Sequence, residues 1–254
     1  MKAIIIGAGR GSRLKAMTDH QPKCYATVGG KRILDWTLEA FDGAGLHDKV
    51  FIGGYQFDLI KRDYPKLSFA HNDNWANNNI LLSLFHAENH MDDGFVCSYA
   101  DILFRDTVVK DALNHPGDIV LCVDTHWRDR YTDRTQHPEH DAEKVTADGD
   151  RVTEIHRDIE SADAHGEYIG VAKFTPRGAK LLRGHFHRVQ REFAGKPWRE
   201  AKVFENAYLI LLIQEMIERG VTVNFVPTHG DYMEIDTEED YALANRDWVK
   251  RFLK

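Results

Sequence analysis

The sequence predicts an α/β protein built on a doubly wound, mostly parallel mixed sheet with helices on both faces. Three observations carry that expectation. Short apolar runs rich in Val and Ile alternate with segments whose apolar residues recur at helical spacing, the order that joins parallel strands through helical crossovers. The first run, Lys2–Ile6, ends directly in glycines, as a buried strand of such a sheet does. The chain of 254 residues is 43% hydrophobic and 29% charged, enough apolar material for one large domain with a continuous core.

Each element has a local cause. Lys2–Ile6 is a β-branched run of strand length. Ile33, Leu34, Thr37, Leu38 and Phe41 share one helical face, and Gly43 and Gly45 stop that helix. Val50-Phe51-Ile52 is a second strand, closed by Gly53-Gly54. Ile80–Phe85 opens another helix that Asn77, Asn78 or Asn79 can cap. Phe95–Ser98 and Ile119–Val123 are further buried strands, with Val108–Leu113 helical between them. His126–Asp150 is polar and is expected to be a functional loop or lid, ending in a hairpin signal at Asp148-Gly149-Asp150. Tyr168–Phe174 is a strand, and Pro176 suits the first turn of the helix after it. A helix over Ala207–Glu218 ends at Gly220, a strand follows at Val221–Val226, and the last helix starts near Glu238. No repeat and no Pro-, Gly- or Ser-rich linker interrupts this series, so residues 1–254 are expected to form a single domain.

Composition excludes several function classes. Lys and Arg total 33 against 40 Asp and Glu, a formal charge of −7, whereas non-specific nucleic-acid binding needs a basic stripe. No apolar run approaches the ~20 residues of a membrane span, and the N-terminus lacks the features of a signal peptide. Cys24, Cys97 and Cys122 show no CxxC spacing, so neither a disulfide framework nor a zinc cage is expected, and a cytoplasmic location is. The histidine pairs His185/His187 and His137/His140 lack a third ligand at metal-site spacing and are read as surface residues.

The most informative stretch is Gly7-Ala8-Gly9-Arg10-Gly11-Ser12-Arg13, followed by Pro22-Lys23. Glycines directly after a strand allow a tight turn and present N–H groups to an anion. A dinucleotide fingerprint would need glycine at Ser12 and an acid where Gly53 and Gly54 stand; an ATPase P-loop would need a Gly-Lys-Ser/Thr that is missing. Arg10, Arg13, Lys15 and Lys23 face only Asp19 in this stretch, which suits a highly charged anion such as a triphosphate. A surface turn with solvated cations is the ordinary alternative.

Ala3–Leu14, Thr18 and Pro22-Lys23 together resemble the signature of the sugar-phosphate-type nucleotidyltransferases, and more narrowly their small phosphocholine and phosphonate cytidylyltransferase branch. Asn72-Asp73 with Asn77-Asn78-Asn79, Tyr99-Ala100-Asp101, and Glu234-Ile235-Asp236-Thr237 with Asp240-Tyr241 extend the resemblance over nearly the whole chain. It implies a Rossmann-like, GT-A-like nucleotidyltransferase fold. It also implies a reaction in which an acceptor phosphate or phosphonate oxygen attacks the α-phosphate of CTP and pyrophosphate leaves. Arg13 matches the arginine that holds the β- and γ-phosphates, and Lys23 the lysine beside the α-phosphate. Gly7, Ala8, Gly9, Arg10, Gly11 and Ser12 would approach the nucleotide, with Asn72, Asn78 and Asn79 beside the base; capping is the alternative role of each asparagine.

Two anions repel, so a divalent cation is expected between them. Mg²⁺ takes one or two carboxylates plus phosphate oxygens and water. Asp101, just past a strand end, and Asp236 match the metal aspartates. Asp236 and Thr237 can equally cap the last helix, with Thr237 and Asp240 at capping-box spacing. The branch often has Asp-Ala-Asp where this chain has Tyr99-Ala100-Asp101. On the acceptor side, Arg128, Arg130 and Lys144 are suited to an oxyanion, Glu167 and Gly170 match the acceptor-binding strand, and Glu205 falls in the cage region of phosphocholine enzymes. Packing of Trp127 and a solvated arginine face is the alternative. The aromatic cage is thin, which points toward phosphonate or surface-polysaccharide chemistry rather than choline.

The expected partners are CTP and a small phosphate- or phosphonate-bearing acceptor; a homodimer is compatible with the sequence, and neither nucleic acid nor membrane is expected. Two other readings compete. One is a sugar-1-phosphate nucleotidyltransferase making an NDP-sugar for surface polysaccharide. The other is a nucleotide-binding regulator with a dead site, against which the intact Lys23, Asp101 and Asp236 speak.

Overall fold

The computed structural model describes residues 1–253, the side chains of residues 15–17 apart. In chain order the first half comprises β1 (Lys2–Gly7), β2 (Thr27–Val28), β3 (Lys31–Arg32), α1 (Ile33–Gly43), β4 (Lys49–Gly53), α2 (Phe57–Asp63), β5 (Ser68–His71), α3 (Ile80–Phe85), β6 (Phe95–Tyr99), β7 (Ile102–Phe104), α4 (Asp106–Asn114) and β8 (Ile119–Asp124). The second half comprises α5 (Trp127–Tyr131), β9 (Lys144–Asp148), β10 (Arg151–His156), β11 (Gly166–Phe174), α6 (Pro176–Phe193), α7 (Leu209–Glu218), β12 (Asn224–Thr228), β13 (Tyr232–Glu234) and α8 (Glu238–Phe252).

Nine strands form one mixed sheet in the order β5-β4-β1-β6-β11-β8-β12-β10-β9. Parallel pairing holds across β5-β4-β1-β6 and between β8 and β12. The strand–helix alternation predicts a larger parallel share than this. β11 enters antiparallel between β6 and β8, because the β9–β10 hairpin reverses the chain and β11 keeps the direction of β10. The β9–β10 hairpin, turned by Gly149 at φ +59°, extends the far edge.

Period-two alternation divides the core into two layers. Ile4 and Ile6 of β1 pack with α3, α6 and α7 on one face, while Ala3 and Ile5 pack with α1 and α4 on the other. Helix boundaries follow from caps. The Asn79 Oδ1 accepts from the Ile80 N–H at 2.8 Å, Thr175 Oγ1 from the Gly178 N–H at 3.2 Å behind Pro176, and Gly220 closes α7 at φ +82°.

A third apolar cluster matters most for function. Leu14, Val28 and Ile33 from the N-terminal region pack against Ile235, Ala244 and Trp248. That contact brings α8 and the corner before it against the chain just after the glycine turn.

Three local expectations shift. The strand read at Val221–Val226 starts at Asn224, because the Val221 N–H still closes α7 by donating to the Met216 carbonyl at 3.0 Å. The polar stretch 126–150 is not a free loop: Trp127 and Tyr131 of α5 are buried with Ala142, and its end is β9. α2 and β5 are also present, from a stretch with no clear period. Cys24, Cys97 and Cys122 are buried free thiols. Among the described residues no helix is long and apolar enough to cross a membrane.

Candidate active site

β1, β4 and β6 end together, and the cleft opens over those ends, where open α/β sheets place ligands. It has a volume of about 540 Å³ and runs from the glycine turn past Lys23 to a group of tyrosines. Gly7 is required by space: a Cβ there would lie 2.5 Å from the Phe51 ring and 2.9 Å from the Ala100 Cβ. Gly11 is required by conformation and space together. It sits at φ +70°, and a Cβ would fall 2.6 Å from Cδ of Lys23, whose stem lies across the turn.

Lys23 is the centre of the site. Its Nζ donates to Asp101 Oδ2 at 2.7 Å and also to Asp236 Oδ1. Asp101 follows β6, Asp236 precedes α8, and the Ile235 N–H donates to the Asp101 carbonyl at 3.0 Å, tying the two corners together. Arg13, more than half exposed, reaches Asp236 Oδ2 at 2.5 Å from the solvent side. Burial alone would lower the Lys23 ammonium, but Asp101 and Asp236 outweigh it and hold the group above the ordinary lysine range. Burial likewise pushes Asp236 up, and Lys23 and Arg13 bring it below the usual carboxylate value.

This corner has oxygen donors in excess of its cations. Asp101 Oδ1 is buried with no hydrogen-bond partner. Glu234, half-buried beside Asp236, is held well above the ordinary range by desolvation and then by that neighbouring carboxylate. An orphaned carboxylate oxygen next to repelling acids is a hard donor set that fits Mg²⁺.

His137 Nε2 lies 3.6 Å from Glu234, and His137, Glu234 and Asp236 stand within metal-ligand reach of one another. Arg134 decides the imidazole's role. Its guanidinium NH2 lies 3.0 Å from Nδ1, and guanidinium only donates, so Nδ1 accepts and Nε2 carries the proton toward Glu234. That tautomer makes His137 a donor, not a ligand. The surface reading of His137 is therefore corrected: it is buried among Arg134, Glu234, Asp236 and Asp240. His140 is exposed as read.

Beyond Lys23 the wall is aromatic and charged. Tyr99 donates to Glu143 Oε2 at 3.2 Å, Arg157 donates to Glu143 Oε1 at 3.3 Å, and the Arg157 guanidinium lies 3.9 Å above the Tyr208 ring. Burial raises Glu143 above the ordinary carboxylate value. Tyr168, Tyr232 and Glu167 complete this end. Asn78, Asn79 and Trp75 line the cleft together with Ala8 and Gly9, and Asn79 Nδ2 donates to the Asn206 carbonyl at 3.2 Å.

The MobA-like NTP transferase domain model matches residues 3–154, the segment that carries the glycine turn, Lys23 and Asp101. The chain belongs to that family. It is a nucleotidyltransferase. It is 28% identical over 253 residues to the CTP:phosphoglutamine cytidylyltransferase of Campylobacter jejuni, covering 96% of this chain and 98% of the relative. It is 32% identical over 114 residues to the choline-phosphate cytidylyltransferase of Streptococcus pneumoniae, or 44% and 49% of the two chains. The solved CTP:phosphocholine cytidylyltransferase from Streptococcus pneumoniae superimposes with a TM-score of 0.72 at 21% identity, covering 96% of this chain and 97% of that one, which shows the shared α/β fold.

Within this nucleotidyltransferase, Gly7, Ala8, Gly9, Gly11, Ser12, Arg13, Lys23, Asn78, Asn79, Asp101, Glu167, Gly170 and Asp236 all line the one cleft. Arg10 turns aside, pairing with Asp19 at 2.7 Å over the Tyr55 ring. The side chain of Lys15 lies outside the described residues. Asn72 stands behind the lining, with Nδ2 donating to Asn78 Oδ1 at 2.8 Å and to Ser83 Oγ at 2.9 Å.

The acceptor-side cations are placed differently from the sequence expectation. Arg128 is exposed and pairs with Glu139 at 3.4 Å. Arg130 is spent between Asp124 and Glu167. Lys144 donates to the Arg157 carbonyl, and Glu205 accepts from the Gly195 N–H at 3.0 Å. Buried charges need partners, and Arg130 finds one of its two on β11, far along the chain. Glu143 and Arg157 line the cleft, whereas Arg128, Arg130 and Lys144 do not reach it. No local motif marks Arg157.

Proposed function

We propose that the chain is a cytidylyltransferase that transfers CMP from CTP to a small acceptor carrying a phosphate or phosphonate. The observation that carries this reading is Lys23 bracketed by Asp101 and Asp236 at the mouth of the glycine turn. The acceptor oxygen forms a bond to the α-phosphorus while the bond to the pyrophosphate oxygen breaks. Lys23 offsets the charge that builds on the α-phosphoryl oxygens, and Arg13 holds the leaving β- and γ-phosphates. The backbone from Gly7 to Gly11 positions the nucleotide, with Asn78 and Asn79 toward the base. Mg²⁺ between Asp101 and Asp236 would supply further neutralisation of the two approaching anions. CTP as donor is supported by the relatives named above.

The acceptor reading rests on Tyr99, Glu143, Arg157 and Tyr208. A carboxylate and a guanidinium side by side among tyrosines favour a substrate whose far end carries an amine or amide. The buried thiols and the use of CTP support action in the cytoplasm.

The test is a matrix of CTP, UTP, GTP and ATP against phosphoglutamine, phosphocholine, 2-aminoethylphosphonate and glucose 1-phosphate with Mg²⁺, read as pyrophosphate release. CTP with an amine- or amide-bearing acceptor is the expected pair. UTP with glucose 1-phosphate would support the sugar-nucleotide reading instead, and no release with any pair would reject nucleotidyl transfer to this class of acceptor.

A further inference from the structure

We propose that Arg134, in the polar segment after α5, is a positioning residue that fixes the carboxylate of Asp236 in the site. The inference rests on the reading of Asp236 as a ligand of the divalent cation. Arg134 has a side chain only 4% exposed, and its Nε donates to Asp240 Oδ1 at 2.6 Å. The other oxygen of Asp240 accepts from two backbone amides, those of Asp236 at 3.1 Å and Thr237 at 2.9 Å. One carboxylate therefore holds the main chain of Asp236 on one side and is itself oriented by a guanidinium on the other. If Arg134 is removed, Asp240 is free to rotate off the amides, and the corner between β13 and α8 loses the contact that aims Asp236 at Lys23. Outer groups of this kind orient a ligand and tune its affinity without touching the metal.

The same guanidinium acts on a second member of the site. Its NH2 sits 3.0 Å from His137 Nδ1 and 3.5 Å from Glu234 Oε2, so one side chain sets the tautomer of His137 and the spacing of both acids behind the cation. Other contacts dock the segment but do not lead to Asp236. Glu239 accepts from the Thr135 N–H at 2.7 Å and the Gln136 N–H at 2.8 Å, and Arg246 reaches Asp133 at 3.0 Å. That difference supplies a control. If Arg134 merely anchored the segment, losing Arg246 would do the same harm.

The experiment is Mn²⁺ binding followed by the electron paramagnetic resonance of the free ion, with CTP present and no acceptor. Arg134→Ala is expected to weaken Mn²⁺ about tenfold or more, with Arg246→Ala within about twofold of the parent. Arg134→Gln, which keeps the volume and loses the charge, is expected to follow Arg134→Ala and carries the test if the alanine variant does not fold. A folded Arg134 variant with parental Mn²⁺ affinity, while Asp236→Asn loses binding, overturns the inference. Equal weakening by Arg246→Ala overturns it too. Parental affinity in Asp236→Asn instead removes the underlying reading of Asp236.

Discussion

Replacing Lys23 by methionine separates charge from packing. Methionine keeps an unbranched stem across Gly11 and deletes the ammonium that Asp101 and Asp236 share. Removing one preorganised charge stabiliser costs on the order of 10²–10³ in kcat, about 2.7–4 kcal/mol, and a fall of that size is expected at saturating CTP. A second effect has the opposite sign. Without the ammonium the two carboxylates repel, so the free enzyme is expected to bind Mn²⁺ more tightly, not less. The stability cost is about 2 kcal/mol, below the roughly 3–5 kcal/mol of a fully buried broken pair, because Asp101 is 29% exposed and Arg13 remains on Asp236. Added Mn²⁺ is expected to recover that loss in a thermal melt. Pyrophosphate release and a Mn²⁺ titration read both effects. Turnover within threefold of the parent, or Mn²⁺ affinity that falls along with turnover, would refute the assignment of Lys23 to the α-phosphate.

Gly11→Ala places a Cβ 2.6–2.9 Å from the Lys23 stem at φ +70°; kcat is expected to fall more than about tenfold, a left-handed alanine also costing about 1 kcal/mol or more, and an unchanged kcat would contradict it. Glu143→Gln is expected to raise the acceptor KM about tenfold, the scale of one charged hydrogen bond, with the CTP KM unmoved; a shift in the CTP KM alone would place Glu143 at the wrong end. Burial pushes Asp240 up, but its hydrogen bonds from Arg134 and Thr237 outweigh it and leave the carboxyl well below its ordinary 3.8. Its contribution is thus complete above that ordinary value and fades as pH falls toward the lowered one. The stability gap between the parent and Asp240→Asn in urea is expected to be constant near neutrality and to shrink below pH 4, and a gap unchanged down to pH 3 would contradict the assignment.

The glycine turn, Lys23 and Asp101 were legible because each is local: a strand end, a sharp turn and a strand-end acid announce themselves within a few residues. The helix caps at Asn79 and Thr237 were legible for the same reason, and so was the start of α6 at Pro176. The wall of Tyr99, Glu143 and Arg157 was not. Glu143 meets Tyr99 and Arg157 only because β9 and β11 pair and the hairpin turns at Gly149, a register that no single segment specifies. Arg130 and Lys144 look like ligand-binding cations in a polar run, yet both are consumed within the protein, Arg130 by Asp124 and Glu167 and Lys144 by the Arg157 carbonyl. His137 carries no signal of its own, since its burial comes from Arg134 and the acids around α8. Antiparallel β11 was hidden too, because a fully buried strand reads the same in either direction.

The most direct measurement is a crystal structure with a non-hydrolysable CTP analogue and Mn²⁺, located by anomalous scattering. The account predicts the β- and γ-phosphates against Gly9–Arg13, the α-phosphate beside Lys23, and a manganese peak between Asp101 and Asp236. A triphosphate seated in another cavity, or manganese bound away from both carboxylates, would contradict it.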